Sequence, residues 1–175
     1  MTDTQRSLAD LQAILPDNTS KAISAQNIRD FLASALGGYG GLYVDPAASA
    51  ATVDSTPAKY AGWSAAFPAS GTTPTAGATA TITVGVAAKY RVDVSLDFLG
   101  SAGQTFVFQL YKNGTKVDGA KATRTTASGT DVTSVAFSAL VDCSASDALT
   151  VYASAGIDAQ SVTVKSGTFV VKRAS

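Results

Sequence analysis

Five aspartates are the residues whose type and spacing could support catalysis or metal binding. Asp93 and Asp97 lie four residues apart in a stretch that alternates apolar and polar residues, so both belong to one face of a predicted strand. Paired carboxylates can act as acid and base or bind Ca²⁺, but on the polar face of a sheet they are more often solvated charge. Asp142, Asp147 and Asp158 fall near predicted turns, where aspartate hydrogen-bonds the local backbone. We therefore expect no catalytic site and no metal site.

Other catalytic residue types are scarce. The chain has no histidine, which removes the commonest general base and metal ligand. Its single cysteine, Cys143, cannot form an intrachain disulfide and is expected to be a buried, inert thiol. The glycine run at 37–41 lacks the Lys-Ser/Thr that would follow in a phosphate-binding loop. We expect the chain not to be an enzyme and to bind no cofactor.

The charge distribution excludes two classes of partner. Charged residues make up 15% of the sequence and the net charge is zero, so nothing indicates binding to nucleic acid or to an anionic membrane. No apolar run approaches the length of a membrane span, and residues 1–15 do not resemble a secretory signal. The one cationic cluster surrounds a predicted hairpin. It could contact a glycan or an acidic shell surface, although a solvated hairpin is the simpler interpretation. Its members are Lys112, Lys116, Lys121 and Arg124.

The sequence of residues 4–36 predicts two short helices near the N-terminus. The first ends at Pro16, and the second begins at Ser24 as N-cap and ends at Gly37 and Gly38. Each has one narrow apolar stripe that two such short helices cannot bury on each other alone. The stripes therefore need another surface, which could be the sandwich, a sister subunit or a shell protein, and one of the last two is the expected contact. The stripes are Leu8, Leu11 and Leu15 in the first helix, and Ile28, Phe31, Leu32, Ala35 and Leu36 in the second.

Residues 37–77 predict an extended linker rich in Gly, Ala, Ser, Thr and Pro. Four aromatic residues, Tyr43, Tyr60, Trp63 and Phe67, are too many for a free linker. We expect the segment to run along a partner or along the neighbouring domain. Irregular coil packed on its own domain is the alternative.

Residues 78–173 predict strands. The run from Tyr90 to Phe98 alternates apolar and polar residues, which indicates one buried face. The run 106–111 is apolar on both faces, since Val107 and Tyr111 lie between buried positions, so both faces are expected to be covered. Asn113-Gly114 predicts a tight hairpin. Short strands follow at 132–141, 149–153 and 162–173, and this spacing predicts an all-β sandwich.

The order of motifs resembles the tumour-necrosis-factor-like jelly roll, which includes the globular heads of complement and collagen-type proteins. The resemblance covers about 78–173 and implies a homotrimer with a hydrophobic threefold interface, which the apolar second face of 106–111 would suit. Lys89 and Ser146 depart from the glycines usual at their positions. The motifs are 88–92, the hairpin 110–114, Leu140 with Asp147, Leu149 and Val151, and the closing 166–169.

Residues 15–31 carry a second resemblance. Leu15-Pro16-Asp17-Asn18-Thr19, Ile23-Ser24 and Ile28-Arg29-Asp30-Phe31 are similar to a segment that recurs near the N-terminus of bacteriophage virion proteins. The resemblance implies a docking module that attaches different β-domains to a particle.

Together these observations predict a mainly β chain: an antiparallel jelly-roll β-sandwich at 78–175, preceded by a helical anchor at 1–36 and a linker at 37–77. The expected function is a trimeric capsid decoration or head-fibre protein, made in the host cytoplasm and located in the virion. Its expected partners are itself and the major capsid protein or another virion protein. The alternative is a tail-fibre or receptor-binding module that recognises a host surface glycan. The expected docking and interface residues are Leu8, Leu11, Leu15, Ile28, Phe31, Leu32, Tyr43, Trp63, Val107 and Tyr111.

Overall fold

The computed structural model describes residues 24, 27–31, 37–45, 50–127 and 131–174 of the chain. Twelve strands, one helical turn at 27–31 and one 3-10 turn at Gly77–Thr79 make up the secondary structure of this part. The strands are β1 Tyr39–Val44, β2 Ala51–Val53, β3 Ala58–Lys59, β4 Ala65–Ala66, β5 Thr72–Thr75, β6 Thr81–Val84, β7 Ala88–Gly100, β8 Thr105–Lys112, β9 Thr115–Thr125, β10 Thr133–Cys143, β11 Ala148–Ala155 and β12 Gln160–Arg173.

The strands form two antiparallel sheets that pack face to face. In sheet A the order is β10-β7-β12-β1-β4, with β2 paired to the start of β12. In sheet B the order is β5-β6-β11-β8-β9, with β3 paired to β11. Most neighbouring strands are distant in sequence, because the chain repeatedly crosses between the sheets, as in a jelly roll. The predicted antiparallel jelly-roll sandwich is therefore confirmed. We call the face of each sheet that points away from the other sheet its outer face.

The core lies between the two sheets. On β7 the apolar residues from Tyr90 to Phe98 are buried, while the residues between them lie on the outer face, as the period-2 pattern predicts. Phe98 of sheet A makes edge-to-face contacts with Phe106 and Phe108 of sheet B, with ring centroids 5.6 and 5.2 Å apart. Full burial of each such side chain contributes about 1.5–3 kcal/mol, so these three rings join the sheets at the centre of the core.

The predicted Asn-Gly hairpin connects β8 and β9. Asn113 and Gly114 have φ of 51° and 78°, and Lys112 faces Thr115 across the turn. The Asn113 side chain also fastens the turn to the start of β11. Its Oδ1 accepts the N–H of Ala148 at 2.8 Å, and its Nδ2 donates to Asp147 Oδ1 at 2.7 Å. The hairpin is thus fixed by its own turn chemistry and by a contact with a distant strand.

The described residues of the predicted linker, 37–45 and 50–77, are part of the sandwich, and this boundary is corrected. The segment supplies β1 to β5, and β1 lies inside sheet A between β12 and β4. These strands carried no clear alternation because β1 contains adjacent glycines and β2 to β5 are only two to four residues long. The partners of β1 and β2 lie more than a hundred residues away in sequence, as Tyr39 facing Lys172 shows. The segment runs along the sandwich, as one of the two expectations had it, and is hydrogen-bonded into both sheets.

The predicted helical anchor lies largely outside the described residues, which include one helical turn at 27–31 rather than two helices. Ser24 is the predicted N-cap of this turn, and its Oγ accepts the N–H of Asn27 at 3.1 Å. The first predicted helix, with Leu8, Leu11 and Leu15, lies outside the described residues, as does Leu32. No helix in the part of the chain that the structure describes is long and apolar enough to cross a membrane.

Candidate self-association surface

The outer face of sheet A is organised as cross-strand rows that run from β1 to β10. In one row Tyr43 faces Thr168, which faces Ser95, which faces Ala136. In the next row Gly41 faces Val170, followed by Asp93 and Ser138. Apart from Tyr43, Val170 and Asp93, the residues of these two rows have small side chains.

The β1 edge of this face carries an aromatic patch, which we define as Tyr39, Tyr43, Phe67, Pro68 and Val170. Phe67 follows β4 and is 37% exposed, and Tyr39 is 46% exposed. The Tyr43 and Phe67 rings lie 4.7 Å apart at 36°. The glycine at position 41 allows this arrangement, because a Cβ there would lie 2.9 Å from Phe67 Cδ2 and 2.8 Å from the Phe169 carbonyl oxygen. The patch is an apolar surface that water reaches in the single chain.

Beside the patch lies a shallow depression on β7, β10 and β12. It is lined by Ser95, Ala136, Ser138, Thr168 and Asp93. Short side chains leave the sheet backbone close to the surface there, so bulky groups from another molecule can approach closely. At the far edge, on β10, Leu140 is 69% exposed. One face therefore combines exposed apolar groups with a depression, which makes it a candidate surface for contact between copies of the chain.

The two carboxylates on this face are engaged with neighbouring side chains. Arg91 Nε donates to both carboxylate oxygens of Asp93, at 2.9 and 3.1 Å. The Asp97 carboxylate accepts the Ser134 hydroxyl at 2.5 Å and the Ser166 hydroxyl at 2.8 Å. These two hydrogen bonds hold the pKa of Asp97 below its usual range. Asp97 is thus an ionised acceptor at neutral pH, which does not suit a general acid.

The three aspartates near turns also have separate structural partners. Asp147 accepts the Ser144 N–H at 2.9 Å as well as the Asn113 amide. Asp142 pairs with Lys89 at 3.3 Å. Asp158 accepts the backbone N–H of Ser55 at 2.8 Å and its hydroxyl. Among the residues that the structure describes, no group of three or more His, Cys, Asp or Glu residues could hold a metal ion.

The predicted interface residues of the sandwich lie on two opposite outer faces and in the core. Tyr43 lies on the outer face of sheet A, whereas Val107 and Tyr111 lie on the outer face of sheet B, so they do not form one surface. Trp63 is only 2% exposed and is a core residue, which corrects its assignment to an interface. Its ring lies 5.8 Å from the rings of both Tyr60 and Phe169 of its own chain. A tryptophan in a segment without strand pattern gave no sign of this position.

The helical turn keeps two of the predicted docking residues accessible. Ile28 is 51% exposed and Phe31 is 43% exposed.

Sequence reasoning missed Tyr39, Phe67 and Val170 as members of one patch. The available signal was the alternation of Tyr39, Gly41 and Tyr43 on β1, which two glycines obscured.

Comparison with solved structures identifies the architecture. The Eiger TNF of S. frugiperda superposes with a TM-score of 0.56 and 18% identity, covering 78% of this chain and 92% of that chain. Murine APRIL superposes with a TM-score of 0.51 and 11% identity, covering 79% of this chain and 99% of that chain. The chain has a TNF-like jelly-roll fold. At these identities the likeness establishes the fold alone. No protein-family model matches the chain, and no curated protein matches it.

Proposed function

We propose that this chain is a structural protein of a bacteriophage particle, a trimeric decoration or head-fibre protein whose N-terminal segment docks on the shell. The observation that carries the self-association is the outer face of sheet A, where the aromatic patch adjoins a depression formed by small side chains. The resemblance of 78–173 to trimeric jelly rolls supports three copies. The resemblance of 15–31 to a phage virion segment supports the particle.

Association through the outer face of sheet A would bury side chains that are exposed to solvent in the single chain. Burial contributes about 25 cal/mol per Å² of apolar surface before the entropic cost of association is subtracted. Tyr39, Tyr43 and Phe67 would supply most of that surface. Aromatic residues suit such a role because they bury a large area and lose few rotamers.

Docking would rest on the exposed helical residues Ile28 and Phe31, which precede β1 in the chain. A trimer presents three such segments together, so weak individual contacts combine into stable attachment by avidity. The function is then mechanical: apolar surface buried on the shell adds to the stability of the particle. No chemical step is involved, in keeping with the engaged carboxylates of sheet A.

The self-association is tested by placing a charge on each outer face. Thr168 on the central strand β12 of sheet A and Thr123 on the edge strand β9 of sheet B are both exposed threonines. In light scattering, the wild type and Thr123→Arg are expected at three times the 17.7 kDa chain mass. Thr168→Arg is expected to shift toward a single chain. A trimer that persists in Thr168→Arg, or dissociates in Thr123→Arg, would contradict the use of sheet A.

Docking is tested separately with Phe31→Asp. Ile157→Asp is the matched control, since Ile157 is 55% exposed but lies in the turn between β11 and β12. The assay mixes each purified protein with phage particles that lack it and measures the bound fraction after sedimentation. We expect Phe31→Asp to lose binding and Ile157→Asp to retain it. Equal binding by Phe31→Asp and wild type would contradict the anchor assignment.

A further inference from the structure

The outer face of sheet B carries two adjacent rows of polar and aromatic side chains. In one row, which crosses four strands, Lys59 faces Tyr152, Tyr152 faces Gln109, and Gln109 faces Lys121. In the row beside it Thr150 faces Tyr111, and Tyr111 faces Lys116. We call these seven residues the tyrosine-lysine face. Its composition differs from that of sheet A, where the aromatic patch adjoins other apolar groups.

The centre of the tyrosine-lysine face is a stacked pair. The rings of Tyr111 and Tyr152 are parallel to within 16°, with centroids 3.8 Å apart. Both side chains are partly exposed. Each ring restricts the rotation of the other, so the pair forms a fixed aromatic ridge on the sheet. A fixed ridge loses little conformational entropy when a ligand packs against it.

The charge on this face is unbalanced. Lys59 and Lys121 are exposed, and within the described part of the chain neither makes an ion pair. Lys116 Nζ lies 3.7 Å from Asp118 Oδ1, and both side chains of this ion pair are exposed to solvent. The two rows themselves contain no Asp or Glu. Because the whole chain has zero net charge, this excess of cations is a local feature and favours an anionic ligand.

Polar groups complete the face. Thr150 is only 6% exposed and its Oγ1 lies 3.0 Å from Thr81 Oγ1, so the accessible hydroxyls are those of the partly exposed Tyr111 and Tyr152. Gln109 Nε2 donates to the Val117 carbonyl at 3.3 Å, which leaves the Gln109 amide oxygen as an acceptor. A carboxylated sugar needs these groups together. Its C–H faces pack against aromatic rings, its carboxylate pairs with ammonium groups, and its hydroxyls exchange hydrogen bonds with amide and hydroxyl groups. An acidic polypeptide would use the lysines but has no need of the ring pair.

We propose that the tyrosine-lysine face binds an acidic, carboxylate-bearing oligosaccharide. The two sheets expose opposite sides of the sandwich, so self-association through sheet A leaves this face open on every copy. Repetition on a trimer would strengthen weak binding to a surface that displays many such sugars. This site goes beyond the proposed structural role, and the experiment on it does not depend on that role.

The test uses the full chain and a panel of soluble probes: oligosaccharides of uronic acid and sialic acid, and neutral counterparts of equal length. Binding is measured by titration calorimetry at low and high salt. We expect the wild type to bind one or more acidic probes, to bind them more weakly at high salt, and to bind no neutral counterpart. Lys59→Glu and Lys121→Glu are each expected to weaken binding about tenfold, because each loses one charge-assisted contact.

Lys165→Glu is the matched control. Lys165 is an exposed lysine on β12 of sheet A that also makes no ion pair in the described residues. It is expected to leave binding unchanged. Tyr152→Leu, which keeps apolar bulk but removes the ring pair, is expected to weaken binding while the lysines remain. Light scattering on each variant reports the association state separately.

Several results would overturn the proposal. No binding of any acidic probe, equal loss in Lys165→Glu, or wild-type affinity in Tyr152→Leu would each do so. A poly-glutamate peptide that binds as strongly as the acidic sugars, with affinity insensitive to Tyr152→Leu, would assign the face to an acidic polypeptide. A changed mass of Thr168→Arg with unchanged sugar binding would bear only on the structural role.

Discussion

Replacement of Trp63 by alanine distinguishes a core residue from an interface residue. The Trp63 side chain is 2% exposed and contacts the rings of Tyr60 and Phe169. Removal of a buried tryptophan typically costs about 3–5 kcal/mol, from lost burial and from the cavity left behind. With a urea dependence of about 2 kcal/mol per molar, a loss of about 4 kcal/mol lowers the unfolding midpoint by about 2 M.

The assay is urea unfolding followed by circular dichroism, since Trp63 is the only tryptophan and its fluorescence is lost in the variant. Ile157→Ala is the control, because Ile157 is a 55% exposed apolar residue in the turn between β11 and β12, outside the proposed self-association surface. All proteins are measured at one concentration, because association adds to apparent stability. We expect Ile157→Ala to lose no more than about 1 kcal/mol. A loss in Trp63→Ala no larger than that of Ile157→Ala would refute the core assignment.

Three further outcomes are expected. Burial raises the pKa of the Cys143 thiol to about 11, so a thiol reagent at pH 8 should label it only after unfolding in denaturant. Hydrogen bonds from Asn113 and from the Ser144 N–H lower the pKa of Asp147, so this carboxylate stabilises the fold above its unfolded pKa of about 4 and loses that contribution as the pH falls through its lower folded pKa. Acid titration of stability should therefore be shallower in Asp147→Asn, and an unchanged slope would contradict the assignment. Gly114→Ala should cost about 1 kcal/mol in urea unfolding because φ is 78°, whereas Gly156→Ala, without positive φ and with no atom closer than 4.0 Å to its Cβ, should cost less.

Part of the candidate surfaces could be predicted from the sequence. The run from Tyr90 to Phe98 assigned Asp93 and Ser95 to a polar outer face, and the structure places them there. The expectation that both faces of 106–111 are covered stays a prediction, since Val107 and Tyr111 are partly exposed on the outer face of β8 in the single chain. Their partner Tyr152 could not be inferred, because a cross-strand stack depends on the register between β8 and β11, which the sequence of either strand does not specify.

The sequence by itself determined the strands of 78–173, the hairpin at Asn113-Gly114 and the N-cap at Ser24. These features rest on local rules: alternation of burial along a strand, positive φ in a tight turn, and a hydroxyl near free backbone N–H groups. Only the tertiary structure decided that β1 to β5 belong to the sandwich, that Trp63 is a core residue, and that Tyr43 and Tyr111 lie on opposite sides. β1 is held in sheet A by hydrogen bonds to β12, whose residues lie more than a hundred positions away. Strands with so little alternation of their own are specified by their neighbours, and those neighbours are brought together only when the sheets form.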